Sequence, residues 1–146
     1  MAEKRQSFTT DIDASPENCF EVIADFPSYP NWSSVITRTA VLDTYPDGLA
    51  RRVEFELDMT IRTVRYVLDY SYEPPHRLRW KFVEGDLADV EGAYIFERAG
   101  KKTRTTCEQA VSLGFWLPGP IRRIAEQKAL KDSVLEFKSE VEKRKG

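Results

Sequence analysis

Between residues 35 and 113 the apolar side chains of this sequence recur at a period of two, and over residues 19–26 and 121–141 they recur every three to four residues. The order of those periods constrains the fold more than any single residue does. Alternation marks half-buried strands, and the helical spacing marks a helix with one apolar stripe. About six alternating runs joined by short turns pair most simply with their neighbours, as an antiparallel meander with one wet face. One long amphipathic segment follows, and it must bury its stripe against the meander's apolar side.

Residues 7–12 already alternate, with Phe8, Thr10 and Ile12 on one side. Ser15 and Pro16 then mark a helix start, because the hydroxyl accepts an orphan backbone N–H and proline suits the first helical position. Cys19, Val22, Ile23 and Phe26 keep helical spacing until Pro27 stops it, and residues 27–32 fit a short second helical turn closing at Trp32. Strands follow over 35–44 and 53–59, joined by Tyr45-Pro46-Asp47-Gly48, and over 61–72, ended by Glu73-Pro74-Pro75-His76. Leu78, Trp80 and Phe82 alternate up to Glu84-Gly85-Asp86, and two more runs, 87–98 and 103–113, meet through 99–102. From Pro118 onward Ile121, Ile124, Ala125, Leu130, Val134, Phe137 and Val141 are expected on one helical stripe, with Lys143-Arg144-Lys145 fraying in solvent. About 25 helical residues would span roughly 38 Å, enough to cross a sheet. The expectation is an α+β fold: a curved antiparallel sheet of six to seven strands wrapped around a long C-terminal helix, with two short helices after the first strand. Residues 1–146 form a single domain on this reading, with no repeat or linker.

Several short stretches carry a resemblance in their order and spacing: Ile12-Asp13-Ala14-Ser15-Pro16, Val22-Ile23-Ala24-Asp25, Tyr29-Pro30-Asn31-Trp32, the run from Val41 to Gly48, Tyr70-Ser71-Tyr72-Glu73-Pro74-Pro75, and Arg77-Leu78-Arg79-Trp80. Together they resemble the START-like (SRPBCC) superfamily, the helix-grip fold of polyketide cyclase/dehydrase and lipid-transport proteins, and look closest to its small actinobacterial members. The resemblance covers essentially the whole chain. It implies a cavity between sheet and long helix, and it places the connection before that helix near the cavity mouth. Lipid carriers, plant hormone receptors, aromatase/cyclases and partners of larger assemblies share this fold, so the fold leaves the function open.

Composition removes some functions. A formal net charge of −2 offers no footprint for nucleic acid. No apolar run approaches the roughly 20 residues needed to span a bilayer, so no stable membrane anchor is expected. The N-terminus lacks a signal-peptide pattern, and Cys19 and Cys107 read as buried reduced thiols, which together point to a cytoplasmic location. One histidine and two distant cysteines do not make a metal site, and the scattered glycines form no phosphate cradle. No cofactor is expected. His76 reads as an exposed turn residue without a chemical role. Glu54, Glu56 and Asp58, with Arg77, Arg79 and Lys81, read as the solvated outer face of the sheet.

Aromatic residues are the stronger signal. Phe55, Tyr66, Trp80, Phe82, Tyr94 and Phe96 fall on the apolar phase of successive strands, where they either pack as core or line a pocket that one helix cannot fill. Gln109 shares the inward phase of Thr105, Cys107 and Val111; a wet pocket explains it, and so does a register error. Phe115 and Trp116 lie between the last strand and the helix, as a plug for the helix start or as a gate. With Trp32, Ile121 and Ile124 these residues make the candidate ligand pocket. The favoured function is binding, transport or sequestration of a small hydrophobic ligand such as a lipid, polyketide or isoprenoid. The alternatives are a polyketide aromatase/cyclase, with Asp69, Tyr66, Tyr94 and Arg38 as candidate groups, and a protein-interaction module. Ligand identity, a protein partner and oligomeric state are left open.

Overall fold

The computed structural model describes residues 5–60, 62–113, 116 and 118–145. Its strands are β1 (Gln6–Ile12), β2 (Ile36–Thr44), β3 (Ala50–Asp58), β4 (Thr63–Glu73), β5 (Arg77–Gly85), β6 (Leu87–Ala99) and β7 (Lys102–Leu113). They pair antiparallel into one curved sheet in the order β1-β7-β6-β5-β4-β3-β2. The chain therefore runs β2 to β7 as a meander, and β1 closes the far side against β7. Between β1 and β2 lie α1 (Pro16–Ile23), a 3-10 turn (Phe26–Ser28) and α2 (Tyr29–Trp32); α3 (Gly119–Lys145) follows β7.

Local chemistry explains the entry helices. Ser15 caps α1 by accepting the Asn18 N–H at 3.1 Å, and Pro16 opens the helix. The Tyr29 hydroxyl donates to the carbonyl of Ile23, which ties α2 back onto the end of α1. In the sheet, the register of β4 on β5 slips by one residue between Val67 and Leu68, an irregularity of the kind that bends a strand.

Helix α3 crosses the apolar face, with Leu130, Val134, Phe137 and Val141 buried. Ile121 and Ile124 do not share that face: they are 58% and 68% exposed. At about 100° per residue Ile121 falls roughly 180° from Leu130 around the helix, and Ile124 about 120° away, so the expected stripe joined two different faces. The basic end does not fray. Arg144 pairs with Glu140 in its own helix and reaches Asp25 at 3.1 Å.

The opposite sheet face carries the expected charges, but their partners lie on adjacent strands. Arg65 pairs with Glu54 and Glu84, Arg52 with Asp69, and Arg77 with Glu73. No helix among the described residues is long and apolar enough to cross a membrane.

Candidate functional site

The concave interior is solid at one end and hollow at the other. At the solid end Phe137, fully buried, packs its ring 5.2 Å from Tyr94 and 6.0 Å from Phe96. At the hollow end a cavity of about 180 Å³ lies between the sheet, α2 and α3. Strand register builds its wall. Phe55 stands opposite Tyr66, Tyr70 opposite Trp80, Trp80 opposite Gly92, and Gly92 opposite Gln109. Tyr29 and Trp32 close one side from α2. The long helix contributes Leu130 but otherwise only the small side chains of Ala129 and Ser133, and this is why the helix does not fill the space.

Six of the residues expected at a pocket meet there: Trp32, Phe55, Tyr66, Trp80, Tyr94 and Gln109. The register of β7 on β6 is regular from Asp89 to Ala99, so Gln109 points inward without a slip. Other expected residues lie elsewhere. Phe96 is fully buried in the solid end, stacked on Tyr94 at 5.8 Å. Phe82 is half-buried and packs on the core beside the cavity, at the irregularity in β5. Ile121 and Ile124 occupy the exposed faces of α3, and Trp116 is 82% exposed. Phe115, with which Trp116 was expected to form a plug or a gate, lies outside the described residues. The wall also includes Leu57, Leu68, Tyr70 and Leu78, which sit on the same apolar phases and were legible from them. Cys107 lies on the inward phase it shares with Gln109, and Ile23, Ser33, Val35 and Ile36 add to the wall; Tyr29 and Ser133 were not legible, because a four-residue helix and a serine on a long one carry no signal in sequence.

The electrostatics are those of a neutral chamber. Among the described residues its wall contains no Asp, Glu, Lys, Arg or His. Burial pushes the hydroxyls of Tyr66, Tyr70 and Tyr94 well above the ordinary tyrosine range. It also pushes the Cys107 thiol up to about 12, and the Cys19 thiol, in the solid core, up to about 11. All these groups are therefore protonated at neutral pH. The side chains of Cys107 and Ser133 lie beside the Tyr94 hydroxyl, and the Ser133 hydroxyl donates to the carbonyl of Leu130 at 2.9 Å. The other two groups considered for catalysis do not reach the chamber. Asp69 lies on the outer face, 3.9 Å from Arg52, and Arg38 is exposed on the edge strand β2. His76 is exposed in the β4–β5 turn, with its Nδ1 3.2 Å from the carbonyl of Phe96. Among the described residues no group of three or more His, Cys, Asp or Glu side chains is placed to hold a metal ion.

A curved seven-stranded antiparallel sheet gripping one long helix, with two short helices after the first strand, defines a START-like protein. Residues 5–142 match the family model described as polyketide cyclase/dehydrase and lipid transport, and the chain belongs to that family. An uncharacterized protein of Mycobacterium tuberculosis is 29% identical over 114 residues, a match covering 78% of this chain and 66% of that protein. The chain thus spans about two thirds of the length of the curated relatives it matches. A START superfamily protein from Mycobacterium smegmatis superposes with a TM-score of 0.87 at 20% identity, covering 95% of this chain and 97% of that one. The Zhui aromatase/cyclase from Streptomyces sp. R1128 superposes with a TM-score of 0.83 at 13% identity, over 98% of this chain and 96% of that one. At these identities the two structures speak for the fold alone.

Proposed function

We propose that this protein binds a small, uncharged, largely apolar molecule in the chamber between sheet and helix, as a carrier or sequestering module. One observation carries the reading: the chamber is walled mainly by aromatic and aliphatic side chains, and among the described residues its wall holds no group that is charged at neutral pH. Such a wall rewards removal of apolar surface from water and penalises an unpaired charge. An apolar cavity of about 150 Å³ is known to take up benzene, and drug-sized ligands occupy roughly 300–1,000 Å³. The chamber therefore suits one or two fused rings, or a short branched or acyl segment of a larger lipid. Burying about 200 Å² of such a ligand contributes about 5 kcal/mol at about 25 cal/mol per Å², before the losses of immobilisation. Modest affinity is the expectation. No cofactor enters this reading, and a cytoplasmic location accompanies it.

Native mass spectrometry of the purified protein, together with titration of an apolar fluorescent probe, tests the proposal. Saturable one-to-one binding with energy transfer from tryptophan is the expected result. A protein that carries no small molecule and binds no apolar probe would refute it.

A further inference from the structure

Three large apolar side chains at and just before the start of α3 stay in solvent. Trp116, Ile124 and Ile121 are 82%, 68% and 58% exposed, the largest apolar exposures among the described residues. From Pro120 to Ala129 only Arg122 and Glu126 are even half-buried, so the first turns of α3 stand clear of the sheet before Leu130 enters the core. At about 100° per residue, Ile121, Ile124, Lys128, Lys131 and Leu135 fall within an arc of about 80°, roughly 130° round the helix from the buried stripe. Leu135 is exposed as well. The helix therefore carries a second stripe, facing outward, in which apolar side chains alternate with lysines.

The charge of this segment departs from that of the chain. Residues 118–131 hold Arg122, Arg123, Lys128 and Lys131 against Glu126 alone, a net +3 in a chain whose formal total is −2, so the remainder carries −5. Lys128 pairs with Asp132, while Arg123 and Lys131 stand exposed. Asp69, Glu54 and Glu84 lie on the outer face of the sheet, on the other side of the molecule, against Arg52 and Arg65.

We propose that the outward face of α3 from Ile121 to Leu135, with Trp116 just before it in the chain, docks reversibly on an anionic lipid bilayer. Apolar side chains set among cations match a surface that is negative at its headgroups and apolar beneath them. Isoleucine and indole side chains enter such a surface without shape complementarity, and the long stems of lysine and arginine let their charges stay at headgroup level. The negative remainder of the chain disfavours every other face, which sets the orientation. A second copy fits the stripe poorly. Packed helix against helix, parallel or antiparallel about the middle of the stripe, it would bring Lys128 of each copy face to face. The docking is adsorption, since no helix among the described residues is long and apolar enough to cross a membrane. It does not rest on the chamber, although Ala129, Leu130 and Ser133 of the same helix line the chamber on the opposite side.

Flotation with lipid vesicles, of phosphatidylcholine alone or mixed with phosphatidylglycerol, tests the proposal. The native chain should float with the mixed vesicles at low salt, stay behind with phosphatidylcholine alone, and be released as salt is raised. Two double variants separate the contributions: Ile121→Ser with Ile124→Ser, and Arg123→Glu with Lys131→Glu. Each should weaken partitioning onto the mixed vesicles at least about tenfold. All four residues are exposed, so the unfolding midpoint and the affinity for an apolar probe should hold in both variants. A native chain that ignores the mixed vesicles, or undiminished binding in either variant, would overturn the proposal. So would a native dimer at sedimentation equilibrium that the isoleucine variant dissociates, because the stripe would then belong to a second copy. None of these outcomes bears on the chamber, which probe titration judges separately.

Discussion

Ser133 and Phe137 stand one turn apart on α3 and face the same concave sheet, yet the interior is hollow beside one and solid beside the other. Around Phe137 the ring fills the space between Tyr94, Phe96 and Trp32. Around Ser133 the sheet presents equally large rings, Tyr66, Tyr70 and Trp80, but beyond Leu130 the helix offers only small side chains in return. Aromatic content on the sheet does not separate core from cavity. The size of the helix residue that meets it does.

The sharpest way to break that contrast is Phe137→Ala. A fully buried phenylalanine in a packed cluster should cost about 3–5 kcal/mol on truncation, read from urea unfolding with an unchanged slope. A loss below about 1 kcal/mol would mean that the solid end is loosely packed after all.

Gly92→Ala probes the hollow end from the sheet. Alanine ordinarily improves a strand position held by glycine. Here its Cβ would lie 2.5 Å from both the Trp80 ring and the Glu108 carbonyl oxygen. The sign should reverse, with a loss of about 1–3 kcal/mol from overpacking and a displaced Trp80 indole resonance. A neutral or stabilising result would show that the indole can leave the glycine freely.

Ser133→Leu should make the hollow end resemble the solid one. Apolar-probe affinity is expected to drop at least about tenfold, ~1.4 kcal/mol, while the unfolding midpoint holds or rises. Undiminished probe binding would place the ligand outside the chamber.

The two thiols compare the ends without mutation of either. Cys19 sits in the solid core and Cys107 on the chamber wall, and burial raises both above the unfolded value near 9.0. A folded pKa above the unfolded one contributes stability that is whole below pH 9 and declines as pH climbs through about 11 and 12. Unfolding free energies should therefore show no thiol-linked change from pH 6 to 8 and fall in alkaline solution. Both cysteines should resist alkylation at pH 8; rapid labelling of Cys107 alone would reveal a chamber open to bulk water.

The smallest effect belongs to His76→Ala. Its ring is exposed and remote from the chamber wall, so stability and probe affinity should stay within about 0.5 kcal/mol. A tenfold loss of probe binding would give the turn a functional part that its geometry does not suggest.

How much of this was legible before the structure differs by element. The strand phases of Phe55, Tyr66, Trp80, Tyr94 and Gln109 were readable because a pleated strand alternates faces with little freedom. The phase of α3 was misread at Ile121 and Ile124, because apolar residues spaced over three helical turns can be threaded onto one stripe although they drift around the axis. Phe96 was legible as inward-facing but not as core, since its surroundings depend on Phe137, 41 positions along the chain.

Period, caps and turn residues act within a few neighbours of one another, and for that reason the sequence by itself determined the seven strands, the capped entry helix, the long closing helix and the inward-facing rings. Whether those rings enclose space is a property of opposed surfaces. It depends on Ala129 and Ser133 rather than larger residues meeting Tyr66 and Trp80, on Gly92 leaving room for the Trp80 indole, and on α2 swinging Tyr29 and Trp32 over the gap. Only the tertiary structure decides such contacts, because packing couples residues whose separation in sequence carries no periodic signal.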